Sequence, residues 1–118
     1  YFPILTQGFI AGAASDENVI SSCLGREGSD YSAAIFGNIF NAEEVILFKD
    51  VNGIYSSDPK HDSSAEFFSE LSYKKAYNIC NNKNTVVHPK TLIKLEEKQI
   101  PLLIRNFNNL DFPGTKIN

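Results

Sequence analysis

The chain contains no methionine and no tryptophan, and only two histidines and two cysteines among 118 residues. Cys23 and Cys80 are far apart and without close metal-ligand spacing, which excludes a disulfide framework or a cysteine-rich zinc module. They read as reduced, buried thiols of a cytoplasmic protein. A chain without methionine that opens on Tyr1, with no signal-like segment to explain processing, is expected to be an excerpt of a longer one. No apolar run approaches the roughly 20 residues that span a bilayer. Basic residues are few: 11 Lys and Arg against 14 Asp and Glu give a net charge of -3. With no basic run and no aromatic-basic interleaving, nucleic acid is not an expected partner. Repeats, low-complexity segments and heptads are absent too. What is present is a hydrophobic fraction of 42%, in a length that suits one domain or a part of one.

The most informative stretch is Leu24-Gly25-Arg26-Glu27-Gly28-Ser29-Asp30-Tyr31-Ser32-Ala33-Ala34. It follows the apolar run Val19 to Leu24 and precedes Tyr31, Ala34, Ile35 and Ile39 at i, i+3, i+4 and i+8, so it reads as strand, glycine turn and helix. Gly25 and Gly28 let the backbone turn sharply and approach a ligand, while Ser29 or Asp30 can cap the first turn. A helix start of this kind attracts anions, and Arg26 adds a planar fork of donors for a carboxylate or phosphate. Taken alone, the same residues also fit a turn that binds nothing.

Upstream, Pro3 to Ala11 reads as a mostly buried strand, and Ala14 to Asn18 as the connection of a hairpin. The helix is expected to end near Phe40, with Asn41 as its left-handed end residue. Val45-Ile46-Leu47-Phe48 reads as a strand buried on both faces of a parallel sheet. Strand, helix and strand in this length imply a right-handed βαβ unit, whose ligands gather at the carboxyl ends of the strands. Residues 26–30 and 49–55 both fall there. Asn52-Gly53 is the strongest short turn signal. Around it Asp50 can contact a ribose or base, Tyr55 can stack on a purine and Lys60 can reach phosphate; equally, Asp50 caps a turn, Tyr55 packs and Lys60 is solvated.

Residues 61–66 are polar and loop-like. Ser72 caps a helix with Tyr73, Ala76, Tyr77 and Cys80 as its buried stripe. Pro89 suits the first turn of another, reaching about Gln99, with Leu92, Ile93 and Leu95 inward and His88 in a structural role before it. Ile100 to Arg105 reads as the final strand, and residues 106–114 as a turn-rich tail.

Four blocks of this sequence carry a resemblance. Leu24 to Ala34 is similar to the L-G-R-G-G-S-D-Y-[ST]-A-A signature of aspartokinases, and Lys49-Asp50-Val51-Asn52-Gly53-Ile54-Tyr55-Ser56-Ser57-Asp58-Pro59-Lys60 to their T-D-V-D-G-[IV]-Y-T-x-D-P-R. Val86-Val87-His88-Pro89-Lys90-Thr91 resembles V-L-H-P-x-T, and Pro113-Gly114-Thr115 the P-G-T after the last strand of the kinase domain. The blocks occur in the family's order over nearly the whole chain.

The resemblance implies an α/β fold with a mainly parallel sheet and helices on both faces, part of an amino-acid kinase (carbamate kinase-like) fold. Residues 1–118 would be a single partial domain, the nucleotide-binding C-terminal part of the catalytic domain. The implied reaction is ATP-dependent phosphorylation of the L-aspartate side-chain carboxylate, opening lysine, threonine and methionine biosynthesis, with Mg2+ on the nucleotide and a homo-oligomeric full-length protein. Arg26, Gly28 and Ser29 match residues that hold aspartate, and Asp30 matches the residue that orients phosphate-neutralising lysines. Lys49, Asp50, Tyr55, Lys60, Thr85 and Val86 match the adenine-nucleotide site; no protein-held metal site is implied.

This sequence departs from the family pattern in ways that matter for the chemistry. Thr85 stands where the family has a lysine, Lys49 where it has threonine, and Glu27 where it has the second glycine of R-G-G. Lys49 or Lys83 is expected to replace the missing charge in part. No stretch resembles the family's K-[FY]-G-G motif, so the chain alone is expected to be inactive. The alternative is a diverged, inactive nucleotide- or amino-acid-binding regulatory homologue.

Overall fold

A computed structural model describes residues 2–8, 12–15, 18–21, 28–82 and 86–118. A four-stranded mixed sheet is built from β3 (Val45–Lys49), β7 (Leu102–Asn106), β8 (Thr115–Ile117) and β6 (Glu70–Leu71), in that spatial order. Two of its three pairings, β3 with β7 and β6 with β8, are parallel, and β7 runs antiparallel to β8. The fold is thus α/β with a mostly parallel sheet.

Three helices accompany it. Helix α1 (Gly28–Ile39) packs on β3 and on α3 (Pro89–Glu96), which in turn packs on α2 (Tyr73–Asn82). Each end has a local cause. Asn41, at φ 49°, takes the left-handed position after α1, and the Ala42 N–H reaches back to the Gly37 carbonyl at 2.9 Å, the expected C-terminal lock. The Lys98 ammonium also donates to the Asn38 carbonyl (2.7 Å) and the Asn41 side chain (2.9 Å), fastening α3's end to α1's. The Ser72 hydroxyl accepts from the Lys75 N–H at 3.2 Å and caps α2. His88 caps α3, its Nδ1 accepting from the Lys90 N–H at 3.1 Å, with Pro89 in the first turn.

The core lies between the helices and one face of the sheet. Val45 and Leu47 of β3, Leu102 and Ile104 of β7, Leu92 and Leu95 of α3 and Ala76 and Cys80 of α2 are all buried there. Tyr73 is buried among them, and its hydroxyl donates to the Ile100 carbonyl. Burial, then the nearby Glu96 charge, raise its pKa.

Several expectations are corrected. Residues 2–8 form no strand and are largely exposed; the hairpin itself exists further on, as β1 (Gly12–Ser15) with β2 (Asn18–Ser21). Among the described residues β2 pairs with β1 and not with β3. The parallel partner of β3 is β7, with α2 and α3 between them in sequence. Strand β3 is buried on one face only, because Ile46 and Phe48 stay 40% and 51% exposed.

On α1 the buried line is Asp30, Ala34 and Gly37 rather than the larger apolar residues, and Ile39 is exposed. A Cβ at Gly37 would lie 2.5 Å from Val45 Cγ2, which shows how closely the helix approaches β3. On α3, Thr91 takes the inward place expected for Ile93, which is exposed, and the helix ends at Glu96 before Gln99 turns left-handed at φ 54°. Outside the elements expected from sequence, the chain also holds β4 (Ile54–Tyr55), β5 (Phe67–Phe68), β6 and β8; β4 and β5 form an antiparallel pair.

Candidate functional site

Three segments meet at the carboxyl end of β3: the start of α1, the residues after β3 and the start of α3. At their junction the Asp30 carboxylate accepts from the Lys49 ammonium at 2.9 Å. The same oxygen, Oδ2, receives the peptide N–H of His88 at 3.4 Å. Asp30's side chain is 5% exposed and that of Lys49 21%. The pair is therefore nearly withdrawn from water on the acidic side and partly open on the basic side.

Local structure explains the placement. Asp30 lies in the first turn of α1, where a negative charge is favoured by the helix dipole. Side chains alternate along a strand, so Lys49 continues the buried face of Val45 and Leu47 to the point where the core ends. Cys80 packs beneath, its thiol pushed up in pKa by burial, an effect partly offset by hydrogen bonds from the Val87 and Val86 peptides and by Lys49. It is a protonated, unreactive wall at neutral pH.

Gly8 approaches the start of α1 from the other side. A Cβ there would lie 2.3 Å from Ser29 Cβ, so only glycine allows residues 2–8 to pass so near.

Of the residues singled out from sequence, Gly28, Ser29, Asp30 and Lys49 come together, with Gly28 buried and Ser29 half-buried. Asp50 follows Lys49 directly and is exposed. Val86 lies half-buried beside Cys80. Arg26 and Thr85, with Glu27 and Lys83, lie outside the described residues.

Tyr55 and Lys60 are placed differently. The Tyr55 ring packs edge-on against Phe67 at 5.2 Å, and Phe67 against Phe112 at 5.0 Å. Lys60 is exposed in a turn whose N–H bonds the Asp58 carboxylate at 2.9 Å. That turn is braced by Asp62, which accepts from Ser57 (2.5 Å) and from Ser64 (2.6 Å); these bonds hold its carboxyl below the usual range. Neither Tyr55 nor Lys60 bonds the Asp30–Lys49 pair among the described residues.

Three contributions were not read from sequence. The buried Thr115 hydroxyl accepts from the Ile54 N–H (2.9 Å) and donates to the Phe68 carbonyl (2.6 Å), tying the β4–β5 pair to the sheet. Gly53, at φ 148°, fits against that hydroxyl, because a Cβ would lie 2.3 Å from it. Asn106, ending β7, donates to the Asn52 side chain at 3.0 Å, and the Phe107 N–H bonds the Lys49 carbonyl at 2.9 Å. Together these hold the segment after β3 over the carboxyl ends of two parallel strands. Pro113-Gly114-Thr115 signals the first of these only to a reader who knows what the threonine must reach.

The Asp30–Lys49 pair thus lies at the carboxyl end of the parallel strands, the edge at which open α/β sheets gather their ligands. The sequence profile of the amino acid kinase family matches residues 1–106, and the chain belongs to that family.

Within it, the resemblance to aspartokinases holds. The chain is 42% identical over 114 residues to the chloroplastic bifunctional aspartokinase/homoserine dehydrogenase 2 of Zea mays, covering 97% of this chain and 12% of that protein. It is 36% identical over 111 residues to the aspartokinase of Chlamydia pneumoniae, covering 94% and 24%. Its fold matches E. coli aspartokinase III, solved in complex with aspartate and ADP, with a TM-score of 0.83 at 30% identity, over 93% of this chain and 24% of that one. The chain thus spans an eighth to a quarter of the length of these relatives. No helix among the described residues is long and apolar enough to cross a membrane.

Proposed function

We propose that residues 1–118 are the C-terminal, nucleotide-binding part of an aspartate kinase catalytic domain, within a longer protein that transfers the γ-phosphoryl group of ATP to the side-chain carboxylate of L-aspartate. The observation that carries this reading is the Asp30–Lys49 pair at the junction of α1, β3 and α3, in a chain whose relatives are named aspartokinases. The acceptor is already an anion, so the reaction needs no general base. A carboxylate oxygen forms the new bond to phosphorus, the bond from phosphorus to the β–γ bridging oxygen breaks, and ADP leaves. The barrier lies in bringing two anions together, which positioning and fixed positive charge lower.

The segments divide this work. Gly28 and Ser29 present the start of α1 to aspartate, with Arg26 as its carboxylate fork. Lys49 and Asp50, on the segment held by Asn106 and Thr115, face the nucleotide with Val86 and Thr85, while Tyr55 and Lys60, engaged by Phe67 and by the Asp58 turn, stand apart from the pair. Among the described residues no group of three or more His, Cys, Asp or Glu is arranged to hold a metal. The exposed Asp50 carboxylate fits a Mg2+ that arrives on the nucleotide and keeps most of its ligands as phosphate and water. Bound so, the ion would neutralise phosphate charge.

Trapping the acyl phosphate with hydroxylamine tests the reading in the full-length protein. Hydroxamate that forms only with aspartate and ATP together supports it. A folded protein that binds ATP and aspartate but forms no hydroxamate favours the regulatory homologue.

A further inference from the structure

We propose that Lys49, held by its contact with Asp30, is the side chain that meets the terminal phosphoryl group during transfer. This rests on the aspartate kinase reading above.

Val45 and Leu47 are buried on the helix-facing side of β3, and the next position on that side is a lysine. An apolar residue would extend the core without desolvating a charge, and a buried ion pair is weak as a device for stability. The pair is nonetheless closely made, at 2.9 Å, with the carboxylate also held by the His88 N–H from the direction of α3. The short Lys49 contact fixes Asp30 and the lysine together, with the His88 N–H a longer second contact.

The ammonium has capacity left over. It carries three donors, and among the described residues Asp30 is its one hydrogen-bonding partner. With a fifth of the lysine side chain still exposed, the remaining donors are available to an anion that enters from the open side. Which anion follows from where the two residues come from. Asp30 is next to Gly28 and Ser29, on the acceptor side, whereas Lys49 leads into Asp50 and Asn52, on the nucleotide side. The group that lies between acceptor and nucleotide during transfer is the terminal phosphoryl. A positive charge held in a low-dielectric pocket there acts where negative charge must be crowded together.

The test compares a non-hydrolysable Mg-ATP analogue with Mg-ADP by titration calorimetry on the full-length protein, alongside steady-state kinetics. Lys49→Met is expected to weaken the triphosphate analogue about tenfold or more and ADP by less than about twofold, and to lower kcat by about 100-fold or more. Lys49→Arg should recover part of the kcat. As a positioning residue, Asp30→Asn should lower kcat with the KM for aspartate changed less than about twofold. Because Lys49→Met alone leaves a buried carboxylate unpaired, Asp30→Asn/Lys49→Met serves as the second variant, and it should show the same selective loss for the triphosphate.

Equal losses for both nucleotides, or an unchanged kcat in either folded Lys49→Met variant, overturn the assignment. A wild-type protein that binds neither nucleotide overturns the aspartate kinase reading itself, so the two failures are distinct.

Discussion

Lys49→Met is expected to lower the stability of the protein by about 3–5 kcal/mol, because it strands the Asp30 carboxylate, 5% exposed, without its countercharge. The single His88 N–H at 3.4 Å is too long a bond to compensate. Asp30→Asn should cost less, since the lysine is 21% exposed and can turn its charge toward water. The double variant removes both charges and should recover much of the loss, with a coupling energy above about 1 kcal/mol. Urea unfolding of the four proteins closes the cycle. Strict additivity would mean that the two side chains do not act as a pair.

Gly114→Ala is expected to be nearly as damaging, for a reason of shape rather than charge. Gly114 sits at φ 80°, and a Cβ there would lie 2.0 Å from the Ile104 carbonyl oxygen. The left-handed backbone alone costs a non-glycine residue about 1–2 kcal/mol, and the clash adds about 1–3 more. The obstacle is backbone in a central strand, which cannot swing aside. At Gly37, by contrast, the nearest atom is the end of the Val45 side chain, so Gly37→Ala should cost less. Gly114→Ala also displaces Thr115, whose hydroxyl joins Ile54 to Phe68, so protection of the Ile54 amide from hydrogen exchange should fall further than that of β3. An alanine variant that unfolds at the wild-type urea concentration would contradict this account.

The helices were the most legible part of the chain, because each carries both a stripe and a boundary residue. Ser72 before Tyr73, Pro89 after His88 and Asn41 after α1 each act as their chemistry dictates. The inward face of α1 was less legible: close packing on β3 selects the small Ala34 and Gly37, while periodicity weights the large residues. Strand β8 is three residues long and stands in a stretch of turn-forming residues, so its role in joining β7 to β6 could not be read from local pattern. The exposed face of β3 has a similar origin, since a continuous apolar run does not say how much of its covering lies within the same 118 residues.

Residues 26–30 and 49–55 were expected at one sheet edge because each follows a strand; of them, Asp30 and Lys49 are in contact. The chain achieves this differently, through helix α1 lying along β3, with β2 paired elsewhere. Two things escaped sequence reasoning altogether. Asp30 is bound by a peptide N–H, which no side-chain motif advertises, and Tyr55 is engaged by Phe67 from 12 residues further along the chain.

The central claim is that the carboxyl ends of β3 and β7 form a nucleotide site around the Asp30–Lys49 pair, and the most direct test is the melting temperature of the protein with and without Mg-ATP. At about a hundred times its dissociation constant, a ligand of the folded state adds about 2.7 kcal/mol, enough for a clear rise in the melting temperature of the full-length protein. The account predicts that rise with Mg-ATP, and a much smaller one in Asp30→Asn/Lys49→Met. An unchanged melting temperature, or an equal rise in the double variant, would contradict it.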